Sequence, residues 1–330
     1  MLIKKLTDAC GLPGYEKEVR EIIKKELEGF ADEIKTDRMG NLIAVKNKNS
    51  SGKHFALCAH MDEVGLCIKS IDKEGYLKFG SWGVDARVLY SKSVLVGKNR
   101  IPGVIGAAPI HLLPFEQRAQ AAPVDKLYID IGAKNKEDAE KSVSPGDFAA
   151  FKSDFTEFGE HKIKAKALDD RVGCAAIIEA MKSETKNKIT AVFTAQEEVG
   201  TRGAAAAANG IDAELVIVIE GTICADTEEE DERLVTVQGM GPALSILDRT
   251  SVYLRKYVDT MAECAQKNNI PYQYRKSGSG GTDAGRFHIA KGGTPCIGIA
   301  APCRYIHSPV SVMDLRDYEN LIKLLKCYIA

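Results

Sequence analysis

A change of period constrains this sequence more than any single residue does. Strand-length apolar runs alternate with segments of helical spacing at both ends of the chain, but between about residues 66 and 160 the helical spacing is lost. In the first part, Val19, Ile22, Ile23 and Leu27 recur three and four apart among charges, which predicts an amphipathic helix over 16–29. Leu42–Val45 and His54–Ala59 read as buried strands, the second running out into His60-Met61-Asp62-Glu63. After residue 160 the alternation returns. An apolar helix over 174–181 is followed by a β-branched strand over 188–195, an alanine-rich helix over 202–209 and an apolar strand from Glu214 to Ile219. A long helix over 249–268, a strand over 294–299 and an amphipathic helix over 314–328 complete it. Such alternation packs helices against a largely parallel sheet, an α/β sandwich.

The intervening segment has a different texture. Tyr76–Phe79, Ser93–Val96 and Leu127–Ile131 are short alternating runs between Gly, Pro and Asp turns, with one helical turn expected near 136–141. That spacing predicts a small β-barrel or sandwich. Residues 66–160 are therefore expected to form an inserted domain, with 1–65 and 161–330 forming one discontinuous domain. His111 lies in the insert in a Pro-Ile-His-Leu segment, where it could serve an active site or simply the loop.

Sites on parallel sheets lie beyond the carboxyl ends of the strands. Glu197 and Glu198 follow the strand 188–195 directly. Side chains alternate along an extended chain, so adjacent carboxylates diverge. One could hold a metal while the other addresses a water beside it. His60 with Asp62, Asp169, Glu220 and His307 fall at other strand ends or in adjoining loops. Each has a plainer reading alone: a core histidine for His60, a helix cap for Asp169, a turn carboxylate for Glu220, a surface loop for His307. Their order and their placement at strand ends argue for a joint role. A set of imidazoles and carboxylates without cysteine suits zinc, cobalt or manganese. Two ions about 3.5–4 Å apart need a shared ligand, which a carboxylate such as Asp169 can supply.

Charge narrows the partners. The formal net charge is −1, so no global basic field favours nucleic acid or an anionic membrane. The acidic run from Asp226 to Arg233 reads as a solvated loop. No window has the apolar length of a signal peptide or a transmembrane helix. The nine cysteines contain no C-x-x-C pair and several lie in apolar runs, as expected of reduced thiols in a cytoplasmic protein. The glycine-rich stretch 277–285 lacks the Lys-Ser/Thr ending of a phosphate loop and reads as a loop beside the site. No Gly-x-Ser-x-Gly elbow supports a serine hydrolase.

His-Met-Asp-Glu at 60–63, Ala-Leu-Asp-Asp-Arg-Val-Gly at 167–173, Gln-Glu-Glu-Val-Gly at 196–200, Glu-Gly-Thr at 220–222 and Ile-His-Ser-Pro at 306–309 occur in this order. The set resembles the co-catalytic dinuclear aminopeptidases, and more narrowly the tetrahedral-shell (TET) or glutamyl aminopeptidases, also called "endoglucanase M". The resemblance implies a three-layer α/β/α sandwich of the phosphorylase/hydrolase-like, zinc-peptidase type, with a mixed, largely parallel sheet. It implies two divalent ions per subunit, zinc or cobalt, with manganese as a further candidate. His60 and Glu220 would bind one ion, Glu198 and His307 the other, and Asp169 both. Asp62 would hydrogen-bond the His60 imidazole, Glu197 would be the general base, and the Asp169–Asp170 peptide would be cis. Relatives often carry Asp where this chain has Glu220, one methylene longer. The position of the insert, between His60 and Asp169, matches the aminopeptidase branch; related carboxypeptidases and deacylases carry theirs later.

The implied activity is removal of N-terminal residues from short peptides with a free amine, by a homo-oligomer, a dodecamer built from dimers or a dimer, assembled through the insert. Two alternatives share the ligand set: a metal-dependent deacylase or carboxypeptidase on small amides, and a non-catalytic peptide-binding shell. A glycosidase needs two carboxylates flanking a sugar without these ligands.

Overall fold

A computed structural model describes residues 1–227, 235–275 and 278–330. Most of the acidic run, and the first residue of the glycine-rich stretch, lie outside the described residues. Two helices open the chain, α1 (Leu2–Asp8) and α2 (Lys17–Leu27), followed by strands β1 (Glu33–Thr36), β2 (Leu42–Lys46) and β3 (His54–His60). Next come β4 (Gly65–Ile71), β5 (Leu77–Trp82), β6 (Ser93–Val96), β7 (Ile101–Gly106), β8 (Tyr128–Asp130), the short α3 (Lys136–Ala139) and β9 (Phe148–Phe151). Strands β10 (Thr156–Phe158) and β11 (Lys162–Ala165), helix α4 (Leu168–Met181), β12 (Lys188–Thr194), α5 (Arg202–Ala207) and β13 (Leu215–Ile223) follow. The chain ends with β14 (Ala243–Ser245), α6 (Arg255–Lys267), β15 (Gln273–Arg275), α7 (Ala284–Ile289), β16 (Cys296–Arg304), β17 (Ser311–Asp314) and α8 (Leu315–Ile329).

Backbone contacts divide the chain into one unit of residues 1–63, 155–306 and 311–330, and a second of 64–154 and 307–310. The first is a three-layer α/β/α sandwich on a mixed sheet of order β1-β2-β12-β3-β13-β16-β17-β11-β10, with β14 pairing β16 and β15 pairing β14. Its centre, β12-β3-β13-β16, is parallel. These four strands read as nearly continuous apolar runs because helices cover both faces. Helix α4 packs on β3 and β13 with α1, α2 and α8 against it, and α5 and α7 pack together over β12, β13 and β16. From Val172 to Ile178 every residue of α4 is buried, so the helix lacks a polar face. In α2, Val19, Ile23 and Leu27 are fully buried, each contributing about 2 kcal/mol of transfer free energy.

The second unit is a closed antiparallel barrel, β4-β5-β8-β7-β6-β9, around Leu66, Ile68, Leu77, Phe79, Val94, Val96, Ile105 and Ile129. The chain leaves it earlier than residue 160. Residues 156–158 form β10, whose partner is β11 of the mixed sheet. His111 lies on an exposed single turn of this unit.

Other sequence expectations shift at their edges. The helix expected from 249 begins at Arg255, because Asp248 accepts the backbone N–H groups of Thr250 and Ser251 and the Tyr253 hydroxyl, which holds a turn. The helix expected from 174 reaches back to Leu168, although Asp169 and Asp170 at its start have non-helical dihedrals.

Candidate metal centre

Register brings the strand ends together. β12 and β3 run parallel with Thr194 opposite His60, and β3 and β13 run parallel with Cys58 opposite Val218. The last residue of β3 therefore lies beside the exit from β12, and Glu220 projects from the carboxyl half of β13. Asp169 and Asp170 open α4 across a cis peptide bond.

His60 is at the centre and is 2% exposed. Its Nε2 lies 3.5 Å from Asp169 Oδ1 and 3.5 Å from Glu220 Oε2. Nδ1 donates to the backbone carbonyl of Asp62 at 3.0 Å. That contact fixes Nδ1 as the protonated nitrogen and leaves Nε2 free to act as a ligand. The resemblance implies that Asp62 hydrogen-bonds the imidazole; its main-chain carbonyl is the nearer partner, and its carboxylate lies at 3.6 Å. The carboxylate instead accepts the backbone N–H groups of Glu197 at 2.9 Å and Glu198 at 3.0 Å.

Two groups of ligand atoms gather within 4.8 Å of one another: His60, Asp169 and Glu198, and His60, Asp170 and Glu220. Asp170 is not among the sequence candidates. Its carboxylate accepts the backbone N–H of His60 at 3.2 Å and that of Gly173 at 2.9 Å. Glu197 is in neither group. His307 is in neither as well; it belongs to the short segment that groups with the barrel, where its Nδ1 lies 3.0 Å from the Gly83 carbonyl.

The electrostatics of these groups suit a cation. Burial raises the proton affinity of Glu197 and Glu220 well above the usual carboxylate range and pushes Glu198 up to about 8. Burial works against a charge on His60, but Asp169, Asp62, Glu220 and Glu197 outweigh it and raise its pKa. Oε1 of Glu220 is buried without a hydrogen-bond partner among the described residues. An unpartnered buried carboxylate oxygen is costly unless a cation meets it. Imidazole with several carboxylates is a donor set that fits a divalent metal ion.

Sequence reasoning missed the charges beneath this layer. Arg171 is fully buried, and Lys166 and Glu63 nearly so. Lys166 Nζ lies 2.7 Å from both Glu63 oxygens, and Arg171 Nη2 lies 3.1 Å from Oε1. The guanidinium also donates to the carbonyls of Leu6, Ala9, Gly11 and Met61, tying the N-terminal segment to the turn after β3. The sequence carried little signal for them, since Lys166 is the third of three alternating lysines at 162, 164 and 166 and Arg171 directly follows Asp169 and Asp170. Asp283, from the glycine-rich stretch, is buried against Thr194 and Cys58, and burial pushes it up to about 6.

Comparison with known proteins bears on this geometry. Residues 40–324 match the M42 glutamyl aminopeptidase family. The lysyl aminopeptidase of Pyrococcus furiosus is 34% identical over 338 residues, a match that covers 99% of this chain and 96% of that protein. The TET aminopeptidase of the marine sediment archaeon Thaumarchaeota archaeon SCGC AB-539-E09 superposes with a TM-score of 0.95 at 34% identity, covering 99% of this chain and 95% of the other. The TET1 peptidase of Pyrococcus horikoshii, described as able to assemble into a tetrahedron or a large octahedral shell, gives a TM-score of 0.89 at 36% identity, covering 99% and 98%.

Proposed function

The chain belongs to the M42 glutamyl aminopeptidase family and is a metal-dependent aminopeptidase, and on that premise we propose how its residues divide the work. His60 and Glu220 would hold one divalent ion and Glu198 and His307 a second, with Asp169 a ligand available to both. The observation that carries this reading is the convergence of Asp169, Glu198 and Glu220 on His60, with one Glu220 oxygen buried and without a hydrogen-bond partner among the described residues. The place of His307 rests on its Ile-His-Ser-Pro motif. Zinc or cobalt suits the set best, with manganese the third candidate.

When bound, such ions polarise a peptide carbonyl and lower the pKa of an attacking water. Glu197 takes the proton from that water and delivers it to the leaving amine. Burial raises its proton affinity above that of an exposed carboxylate, the direction a carboxylate base needs. Asp62 fixes the backbone from which Glu197 and Glu198 project, and its main chain sets the His60 tautomer.

The substrate is a short peptide with a free N-terminus. The chain assembles as a homo-oligomer, a dodecamer built from dimers, in keeping with the shell assemblies described for Pyrococcus horikoshii TET1; the inserted domain contributes to the assembly. Light scattering that finds monomer alone at micromolar concentration would contradict this. No helix among the described residues is long and apolar enough to cross a membrane. Nine cysteines that are all thiols fit a reducing, cytoplasmic setting.

Activity on a panel of aminoacyl p-nitroanilides, after reconstitution with zinc, cobalt or manganese, tests the reading. Hydrolysis of free-amine substrates supports it. Activity confined to N-acylated amino acids would transfer the site to the deacylase or carboxypeptidase reading.

A further inference from the structure

Four consecutive backbone N–H groups in the turn after β12 are taken by side-chain acceptors. Ala195 donates to Asn41 Oδ1 at 2.9 Å, Gln196 to Glu16 Oε1 at 3.1 Å, Glu197 to Asp62 Oδ1 at 2.9 Å and Glu198 to Asp62 Oδ2 at 3.0 Å. A row of turn N–H groups commonly forms a concavity for a bound anion. Here three of the four N–H groups meet the protein's own carboxylates and the first meets the Asn41 amide oxygen, all supplied from other segments of the chain. Gln196 sits at φ 58, in the left-handed region that side chains other than glycine rarely occupy. Its backbone must therefore be held by its surroundings.

Glu16 supplies that hold. It stands immediately before α2, where a carboxylate would ordinarily accept the helix's own first N–H groups. It makes no such bond. The side chain is 3% exposed, and its Oε1 accepts from Gln196 and, at 2.7 Å, from Gly14. Gly14 has φ 84, a conformation that lets the chain turn back so that its N–H meets the same oxygen. The Gly-Leu-Pro-Gly-Tyr-Glu segment thus forgoes a helix cap and spends a buried carboxylate on the turn that carries Glu197 and Glu198.

We propose that Glu16 is a positioning residue for the catalytic turn: by fixing the Gln196 peptide it sets the directions in which the Glu197 and Glu198 side chains leave the backbone. This rests on the roles of Glu197 as base and Glu198 as ligand given above. Displacement of a reacting group by about 1 Å can cost about 100-fold in rate, and a carboxylate carried on two methylenes from a misplaced backbone is exposed to shifts of that size.

The test compares Glu16→Ala, Glu16→Asp and Glu16→Gln with the parent protein. Gln keeps the length and an acceptor oxygen. Asp keeps the charge but is one methylene short of Gln196, and it carries the test if Glu16→Ala does not fold. In metal-free protein, hydrogen exchange of peptides covering 195–199 is expected to quicken in the Ala and Asp variants, while peptides from β13 and β16 stay protected. With metal restored, kcat should fall about 10- to 100-fold in both. At saturating metal KM should move less than about threefold, metal affinity should weaken because Glu198 leaves the same turn, and Glu16→Gln should retain most of the activity. Unchanged exchange at 195–199, or quickened exchange with unchanged kcat, overturns the proposal. If Glu197→Gln keeps its activity while the Glu16 variants behave as stated, the assignment of the base fails and the clamp on the turn stands.

Discussion

His60 Nδ1 lies 3.0 Å from the main-chain carbonyl of Asp62 and 3.6 Å from the carboxylate of the same residue. One residue thus does two separate jobs: its backbone orients the imidazole, and its side chain holds the turn that carries Glu197 and Glu198. Asp62→Asn should separate them. The amide keeps one acceptor oxygen but turns an N–H donor toward the second backbone N–H, which weakens the clamp. The backbone contact to His60 is untouched. Metal content should stay near the parent value while kcat falls about 10- to 100-fold. A variant that loses metal as fully as His60→Ala would show that the carboxylate, not the carbonyl, orients the imidazole.

The charges beneath the site make a second prediction. Lys166 and Arg171 share the single counter-charge of Glu63, with side-chain exposures of 5%, 0% and 2%. Glu63→Gln removes that charge and leaves two buried cations facing an amide. Loss of one partner in a buried ion group costs about 3–5 kcal/mol. Urea unfolding at neutral pH should show a lower midpoint of that order, and an unchanged midpoint would mean that the cations are not buried. Arg171→Lys should not rescue the fold as a conservative change would. A lysine cannot serve Met61, Leu6 and Glu63 together as the guanidinium fork does.

Local pattern is legible in this sequence and contact across the fold is not. Apolar runs marked β3, β12, β13 and β16 because strands covered on both faces must be apolar throughout, and the residues at their ends followed from that. The barrel showed itself by losing helical period. What could not be read was pairing over distance. Glu16 resembles any acidic residue at a helix start, and only the fold brings it to Gln196. Asp170 reads as part of an acidic cap until the backbone of His60 is seen to point at it. Lys166 and Arg171 owe their burial to Glu63, which lies in a different motif. α6 starts later than its periodicity suggests because the backbone N–H groups of Thr250 and Ser251 donate to Asp248, and that local turn outweighs helical spacing.

Removing metal should leave a protein whose stability falls as pH rises. Glu198 is pushed up to about 8 from 4.5 and Asp283 to about 6 from 3.8, with burial the main cause for each. A carboxylate whose folded pKa exceeds its unfolded value keeps its proton longer in the native state. The native state then binds more protons than the unfolded state between the two values, and stability is lost as pH climbs through that window. His60 acts in the same direction, since a raised imidazole pKa gives stability that disappears as pH rises through it. The chelated protein should therefore melt at a lower temperature near pH 8 than near pH 5, and zinc should restore the loss at pH 8. Differential scanning fluorimetry across that range is the check. A chelated protein that grows more stable toward pH 8 would sink the idea.

The last prediction separates the adjacent glutamates. They leave one turn in different directions, and the ligand atoms of Glu198 gather with those of His60 and Asp169 while those of Glu197 do not. Glu198→Ala removes a negative charge and a donor atom from that group, so metal affinity should fall and activity with it. Glu197→Gln keeps size and hydrogen bonding but cannot accept a proton. Its fold and metal content should survive while kcat drops by roughly 10²–10⁴, the usual range for a lost general base. KM should change little, because the ligand group is intact and the amide fills the same space. The acidic limb of the kcat–pH profile should also flatten, since the group whose ionisation it reports is gone. Metal analysis and steady-state kinetics on both variants decide the matter. A Glu197→Gln protein that loses metal as Glu198→Ala does, or that keeps its kcat, would remove Glu197 from the role of base.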